Sequence, residues 1–193
     1  MTHRFTVVIA GRPNVGKSAL FNRLVRRRQS LVHDQPGMTR DVLEGEARLP
    51  DGRTYRVLDT GGFDPEGSEA IPKAVRESAA AAIRKADLVL LVTDASAGVL
   101  AGDRAAADLA RKSGRETIVV PNKIDRKEGS AGEVEAWELG FPEVYGVSAE
   151  HAIGIDELND AIVQRMPAAE PADSPVDSAT DEREIALAVV GRP

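Results

Sequence analysis

The segment GRPNVGKS at residues 11–18 fits the pattern G-x-x-x-x-G-K-[ST]. A glycine-rich turn of this kind can direct its backbone N–H groups at the phosphates of a nucleotide, and a following helix adds the positive end of its dipole. Lys17 would then supply a positive charge to the β- and γ-phosphates, and the Ser18 hydroxyl would bind Mg²⁺, which prefers oxygen ligands. The alternative is a plain glycine turn. The residues expected at the phosphates are Gly11, Arg12, Pro13, Asn14, Val15, Gly16, Lys17, Ser18 and Ala19.

A second motif, LDTGG at 58–62, follows a strand-like run. Asp59 would lie at the carboxyl end of that strand, where its carboxylate can hold Mg²⁺ through water. The N–H group of Gly62 can reach a γ-phosphate. Asp-x-x-Gly alone is more often a turn, so the prediction depends on the preceding phosphate motif.

A third motif, NKID at 122–125, predicts recognition of a guanine base. The Asp125 carboxylate can accept from guanine N1–H and from the exocyclic amine, while Asn122 and the stem of Lys123 position and cover the ring. Adenine would leave the carboxylate unpaired, and sites of this kind reject the wrong partner by about 10⁴. In SAE, which comprises Ser148, Ala149 and Glu150, the Ala149 N–H could donate to guanine O6.

The motifs need a scaffold that places strand ends together. The run FTVVIA before Gly11 is typical of a buried strand, and apolar spacing over KSALFNRLVRR predicts a helix. Strand-like runs YRVLD, DLVLLVTD, ETIVVP and EVYGVSA alternate with helix-like runs near 70–85, 102–113, 132–139 and 155–165. This alternation predicts an α/β fold with a mostly parallel, doubly wound sheet and helices on both faces. Asp51-Gly52 predicts a hairpin with a type I′ turn, and thus one antiparallel edge strand.

Composition limits the classes of function. The chain has 193 residues, of which 42% are hydrophobic and 29% charged, which fits one folded domain with residues to spare. It lacks an apolar run of about 20 residues and a secretory signal, so we expect a cytoplasmic protein that does not enter a membrane. The net charge of −6 argues against a surface that binds nucleic acid throughout.

The chain repeats its own opening near its end. Gly191-Arg192-Pro193 follows an apolar run, as Gly11-Arg12-Pro13 does 180 residues earlier. Between them, residues 168–184 are rich in proline, alanine, serine and acidic residues, as in a flexible linker. We therefore divide the chain into a first domain (1–167), an acidic linker (168–184), and the first strand and truncated phosphate loop of a second, similar domain (185–193).

In their order and at these strand ends, the motifs resemble the translation-factor class of P-loop GTPases. The resemblance implies binding of GTP or GDP with Mg²⁺. It also implies that Thr39 of DQPGMTRD closes over the metal and the γ-phosphate, ordered by GTP and released after hydrolysis. Thr39 also has an ordinary interpretation as turn chemistry. Position 63 is Phe, where Ras-like enzymes have a water-orienting glutamine, so catalysis must come from elsewhere or be weak.

Asn14 is similar to the P-loop asparagine of GTPases that also have a hydrophobic residue at the position of Phe63. In that group the asparagine helps to hold K⁺ where an arginine finger would place positive charge. The alternative is that Asn14 only caps the tight loop. The residues that this resemblance implies in catalysis are Asn14, Lys17, Thr39 and Gly62, with Ser18, Thr39 and Asp59 at Mg²⁺ and Asn14 at K⁺.

Five segments, LVHDQPGMTRD, DTGGF, KADLVLLVTDASAG, NKID and SAEHAIGIDEL, resemble the first GTPase domain of the bacterial Der (EngA) family over most of residues 5–166. These are tandem GTPases involved in assembly of the large ribosomal subunit. The resemblance implies three partners, a second GTPase domain, a KH-like domain, and the large ribosomal subunit or its precursor. Two alternatives remain: a nucleotide-binding regulatory module with negligible turnover, and the GTPase domain of a tRNA-modification protein.

Overall fold

The computed structural model describes residues 4–25, 43–49, 51–60, 80–126 and 129–167. The strands in these ranges are β1 (Thr6–Ala10), β2 (Leu43–Arg48), β3 (Thr54–Asp59), β4 (Leu88–Asp94) and β5 (Glu116–Asn122). The helices are α1 (Lys17–Val25), α2 (80–85), α3 (Ala101–Ser113), α4 (Gly129–Glu135), which continues into a 3-10 turn (Ala136–Leu139), and α5 (Ile155–Arg165). None of these helices is long and apolar enough to cross a membrane.

The strands form one sheet in the order β2-β3-β1-β4-β5. β1 lies in the middle and pairs in parallel with β3 and β4, and β4 pairs in parallel with β5. β2 is antiparallel to β3. The prediction of a mostly parallel sheet with one antiparallel strand at its edge is confirmed.

Helices cover both faces of the sheet, as predicted, because alternate residues of a strand point to opposite sides. Ile9 of β1 lies in one apolar cluster with Leu20 of α1 and Leu158 of α5. The preceding residue, Val8, lies in a second cluster with Ile83 of α2. All five residues of β1 are buried, so this strand fixes the base of the loop that follows it.

The β2–β3 connection is a hairpin, but the predicted type I′ turn is wrong. Such a turn needs positive φ at both central residues. Gly52 has a positive φ of 88°, but it closes the turn as its last residue and is not one of the two central residues. Instead, the Gly52 N–H donates to the Leu49 carbonyl at 3.0 Å, and the Asp51 carboxylate accepts from the backbone N–H of Arg53 at 3.0 Å. The aspartate therefore stabilises the turn through its side chain.

The sequence predicts a further strand over 143–149, but the structure has isolated bridges to β5 in place of a regular strand. The Tyr145 N–H donates to the Val119 carbonyl at 3.0 Å, and the Val147 N–H donates to the Pro121 carbonyl at 2.8 Å. Proline has no N–H to donate between these two bonds. Pro121 therefore interrupts the ladder, and the end of this segment can turn towards the phosphate loop.

Candidate nucleotide-binding site

The turn between β1 and α1 passes close to the ends of two other strands. Gly11 has φ 146°, and a Cβ atom there would lie 2.3 Å from the carbonyl oxygen of Val92 in β4. Gly16 has φ 96°, and a Cβ atom there would lie 2.2 Å from the side-chain nitrogen of Asn122 at the end of β5. The two glycines allow the loop to lie across the carboxyl ends of β4 and β5, where open α/β sheets bind ligands.

Replacing Gly16 by alanine is expected to destabilise the fold by about 2–4 kcal/mol, because the new Cβ meets Asn122 and the backbone has a positive φ. Gly52→Ala is a matched control, since Gly52 also has a positive φ but no atom within 4 Å of the added Cβ. Urea unfolding of both variants measures the difference. Equal losses in the two variants would contradict the close packing of Gly16 on Asn122.

Lys17 is the first residue of α1, and only 5% of it is exposed. Its Nζ donates to the carbonyl of Arg12 at 2.7 Å across the phosphate loop. Burial lowers the pKa of Lys17 to about 8, against the opposing effect of the Asp59 carboxylate. The buried ammonium lacks its full hydration and is therefore suited to an anionic ligand such as a phosphate.

Ser18 and Asp59 lie together, as the predicted Mg²⁺ site requires. The Ser18 hydroxyl donates to Asp59 Oδ2 at 2.9 Å. Asp59 is fully buried at the end of β3, in register with Ile9 of β1. A hydroxyl and a carboxylate are oxygen donors of the kind that Mg²⁺ prefers, so the described residues fit this metal.

Asn122 connects both sides of the site. Its Nδ2 donates to the Val15 carbonyl in the phosphate loop at 2.9 Å, and its Oδ1 accepts from the Ala149 N–H at 3.0 Å. The sequence analysis assigned the Ala149 N–H to guanine O6. Here that N–H already has a partner, so O6 would have to share it with Asn122. Asn122 thus joins the phosphate loop to the segment that contains Ala149, a structural role that the sequence analysis missed.

Lys123 makes a second connection to the phosphate loop. Its Nζ donates to the Asn14 carbonyl at 2.9 Å and pairs with Asp94 Oδ2 at 2.5 Å. Asn14 and Lys123 have φ values of 65° and 70°, which non-glycine residues rarely adopt. Sequence reasoning missed Asp94, although its place at the end of the apolar strand β4 was the signal that could have indicated it.

Asp125 lies beside the segment that contains SAE. A hydrogen bond from the Ser148 side chain is the main cause that lowers the pKa of Asp125, so the carboxylate is ionised at neutral pH. Nε2 of His151 lies 3.5 Å from Asp125 Oδ2. An ionised carboxylate can accept the two N–H groups that guanine presents.

Arg23 and Asp103 also position the loops of the site, and the sequence analysis missed both residues. Arg23 of α1 donates through Nε to the Ala149 carbonyl at 2.9 Å and through a terminal nitrogen to the Glu150 carbonyl at 2.7 Å. On the opposite side, Arg12 pairs with the fully buried Asp103 of α3, with 3.2 Å between Nε and Oδ2. These contacts hold the phosphate loop and the base-side loop to the two helices.

The structure brings most of the predicted site residues to one edge of the sheet. The buried ones are Gly11, Val15, Lys17, Asp59, Asn122, Ser148 and Ala149, the half-buried ones are Arg12, Pro13, Gly16 and Lys123, and the exposed ones are Asn14, Ser18, Ala19, Asp125 and Glu150. Thr39, Gly62 and Phe63 lie outside the described residues, as do the linker at 168–184 and the strand predicted at 185–193. Their predicted roles stay predictions.

A phosphate loop hydrogen-bonded to a guanine motif at the carboxyl ends of a parallel sheet defines a P-loop GTPase domain. Residues 6–123 match the family model described as "50S ribosome-binding GTPase". The chain belongs to this family of GTPases.

Within this family the chain is similar to proteins named GTPase Der, which confirms the resemblance to the first domain of that group. It is 46% identical over 195 residues to the protein from Azorhizobium caulinodans, with 98% of this chain and 43% of that protein covered. It is 43% identical over 189 residues to the protein from Myxococcus xanthus, with 97% and 41% covered. The chain spans less than half the length of these relatives.

A solved structure supports the fold. It holds Era in complex with MgGDPNP and nucleotides 1506–1542 of 16S ribosomal RNA, and it matches with a TM-score of 0.70 and 29% identity. The match covers 88% of this chain and 59% of that chain.

Proposed function

We propose that this chain binds GTP and GDP, hydrolyses GTP to GDP and phosphate with the help of Mg²⁺, and acts as a switch domain of a ribosome-assembly GTPase. One observation carries the proposal. Two side chains of the guanine motif, Asn122 and Lys123, donate to the carbonyls of Val15 and Asn14 in the phosphate loop, each at 2.9 Å. The guanine motif and the phosphate loop are therefore joined by hydrogen bonds, so that a surface for a base lies next to a surface for a phosphate chain.

Each part of the unit has a distinct task towards the nucleotide. The backbone N–H groups of the phosphate loop, which Pro13 lacks, bind the phosphates. The buried Lys17 ammonium exchanges the Arg12 carbonyl for a phosphate oxygen or shares its hydrogens between them. Asp125 selects guanine, because its ionised carboxylate accepts from N1–H and from the 2-amino group. These roles fit the chemistry of phosphoryl transfer, because the reaction needs positioning and positive charge more than covalent chemistry.

Ser18 and Asp59 would hold Mg²⁺, with Thr39 as a further ligand and Gly62 at the γ-phosphate. When bound, the metal neutralises charge that develops on the phosphates. The residues of the chain then orient the phosphates and exclude solvent from one side of them. The Era structure contains MgGDPNP, a nucleotide bound with magnesium, which supports the same chemistry in this fold.

Asn14 is the residue we propose for K⁺. Its backbone carbonyl accepts from Lys123, and the residue is exposed. A neutral amide oxygen at this position can contribute to a monovalent cation site next to the phosphates. Such a cation would supply part of the positive charge that an arginine finger supplies elsewhere.

Multiple-turnover GTP hydrolysis in matched KCl and NaCl tests the proposal. We expect K⁺ to stimulate turnover about 10-fold or more, as partial replacement of an arginine finger. Asn14→Gly is the sharper variant, because glycine accepts the φ of 65° without strain and keeps the carbonyl that binds Lys123. We expect this variant to lose the stimulation by K⁺.

GDP affinity is the control in that experiment, and Asn14→Gly should change it less than about fivefold, since no charged contact is lost. Tight GDP binding with equally slow turnover in both salts would contradict the K⁺ site. That outcome would favour a nucleotide-binding regulatory module. Absence of GDP binding would contradict the proposal as a whole.

The wider role is proposed from the family. The family model that matches residues 6–123 is described as ribosome-binding, and the relatives named GTPase Der are more than twice as long as the part that this chain matches. We propose that a second GTPase domain and a KH-like domain belong to the same protein, that its partner is the large ribosomal subunit or its precursor, and that it acts in the cytoplasm. GTP binding and hydrolysis by the present domain would then control how these parts dock.

A further inference from the structure

Asp94 lies at the carboxyl end of β4, next to the guanine motif but outside it. In the β4–β5 register it pairs with Asn122, and the Ala95 N–H donates to the Asn122 carbonyl at 2.8 Å. Its side chain is 11% exposed, and the side chain of its partner Lys123 is 22% exposed. A carboxylate and an ammonium are thus paired in a largely desolvated place, where a charged hydrogen bond is strong and the loss of one partner is costly.

Both carboxylate oxygens of Asp94 have defined partners. Oδ1 accepts from the Ser96 hydroxyl at 2.6 Å and from the Ser96 N–H at 3.0 Å. Oδ2 accepts from Lys123 Nζ at 2.5 Å. Burial would raise the pKa of Asp94, but the hydrogen bonds from Lys123 and Ser96 outweigh it and hold the pKa below its usual value. Ser96 therefore orients the carboxylate, and the carboxylate receives the lysine.

Lys123 then reaches the phosphate loop from a fixed point. Its Nζ donates to the Asn14 carbonyl at 2.9 Å. The two residues joined by this bond, at φ 65° and 70°, are two of the three non-glycine residues with positive φ in the described ranges. Strained backbone of this kind persists only where the surroundings over-determine it. The ion pair from β4 supplies such a constraint at both residues.

We infer that Asp94 is a positioning residue of the nucleotide site, which holds Lys123 on the Asn14 carbonyl and so fixes the lysine stem over the base and the phosphate loop beside it. The inference rests on the proposed guanine-nucleotide binding. Asp94 itself touches neither base nor phosphate, so its loss weakens binding without changing which base is selected. Selection depends on Asp125, which does not contact Asp94.

The test compares GDP, IDP and ADP binding by calorimetry for the wild-type chain and for Asp94→Ala, Lys123→Ala and the double variant. IDP lacks the 2-amino group that Asp125 reads. We expect Asp94→Ala to weaken GDP binding about 10- to 100-fold, as for loss of a buried charged hydrogen bond. The ratio of GDP to IDP affinity should stay within about twofold of the wild type, because Asp125 is untouched. In the Lys123→Ala background, Asp94→Ala should add less than about threefold.

Two further variants keep the test decisive. Asp94→Asn retains the acceptor for Ser96 without the charge, and we expect its loss of GDP affinity to lie between those of the wild type and Asp94→Ala. It takes the place of Asp94→Ala in the comparison if the alanine variant fails to fold. Ser96→Ala removes only one bond to Oδ1 and should cost less than about fivefold. If the role of Asp94 were purely structural, Asp94→Ala would lower thermal stability. It would also weaken GDP binding by the same factor in the wild-type and Lys123→Ala backgrounds.

The possible failures are distinguishable. A wild-type chain that does not prefer GDP to ADP would overturn the proposed function. Suppose instead that the wild-type chain does prefer GDP to ADP. Two results would then overturn the role of Asp94: GDP binding by Asp94→Ala as tight as that of the wild type, or losses of affinity in Asp94→Ala and Lys123→Ala that add fully in the double variant.

Discussion

Replacing Lys17 by methionine is expected to weaken binding of GTP and GDP at least about 100-fold and, at the same time, to stabilise the nucleotide-free protein. The affinity should fall because the Lys17 ammonium is the cation that we propose to bind the phosphates. The stability rises because the ammonium is buried at 5% exposure, with the Arg12 carbonyl at 2.7 Å as a neutral hydrogen-bond partner.

The size and pH dependence of the stabilisation follow from the pKa of Lys17. A value of about 8 in the folded protein instead of 10.5 corresponds to about 3 kcal/mol at neutral pH. We expect a gain of about 1–3 kcal/mol in Lys17→Met, since the bond to Arg12 is lost. Between pH 8 and 10.5 the unfolded chain binds more protons than the folded one, so the stability of the wild type rises with pH there.

Urea unfolding at pH 7 and at pH 9.5, together with GDP titrations, measures these effects. The wild type should gain stability between the two pH values, and Lys17→Met should lack that gain. Lys112→Met is the matched control, because Lys112 is an exposed lysine near the end of α3. If Lys17→Met were less stable than the wild type at pH 7, the buried ammonium would not destabilise the nucleotide-free protein, contrary to the prediction.

Replacing Asp125 by asparagine is expected to change the base that the site accepts. The carboxylate accepts from two N–H groups of guanine, whereas an amide presents one acceptor and one donor. Its donor would face the guanine 2-amino group, so GDP affinity should fall about 100-fold or more. Xanthine has a carbonyl oxygen at that position, and the amide can donate to it while accepting from N1–H.

Competition of GDP and XDP for the site measures this exchange. XDP should bind Asp125→Asn more tightly than GDP does, and the order should be reversed in the wild type. Asp108→Asn, at an exposed aspartate of α3 outside the site residues, is the control and should leave both affinities unchanged. Undiminished GDP binding by Asp125→Asn would mean that the carboxylate does not read the base.

The motifs and the sheet were predictable because their signals are local. A strand, a glycine-rich turn and a helix are consecutive in sequence, and the alternation of Val8 and Ile9 between two cores follows from the period of a strand. The placement of Lys17, Ser18 and Asp59 follows from two parallel strands with their carboxyl ends at the same edge. Patterns of this kind need no knowledge of distant contacts.

The supporting residues were not predictable, because their partners are far away in the chain. Arg23 donates to the Ala149 carbonyl across 126 positions, and Lys123 meets Asn14 across 109. The strand predicted over 143–149 failed for a related reason. Its residues favour an extended conformation, but the interruption comes from Pro121 on the neighbouring strand, which its own sequence does not reveal.

The interruption at Pro121 also affects how folded molecules meet one another. A regular strand over 143–149 would present a continuous row of unpaired N–H and C=O groups along its outer side, to which a strand of a second molecule can add. The structure instead has isolated bridges here, so residues 143–149 do not offer a regular strand along that side. A segment that is bridged at single residues is therefore a poorer template for an added strand at this edge of the sheet than a regular strand would be.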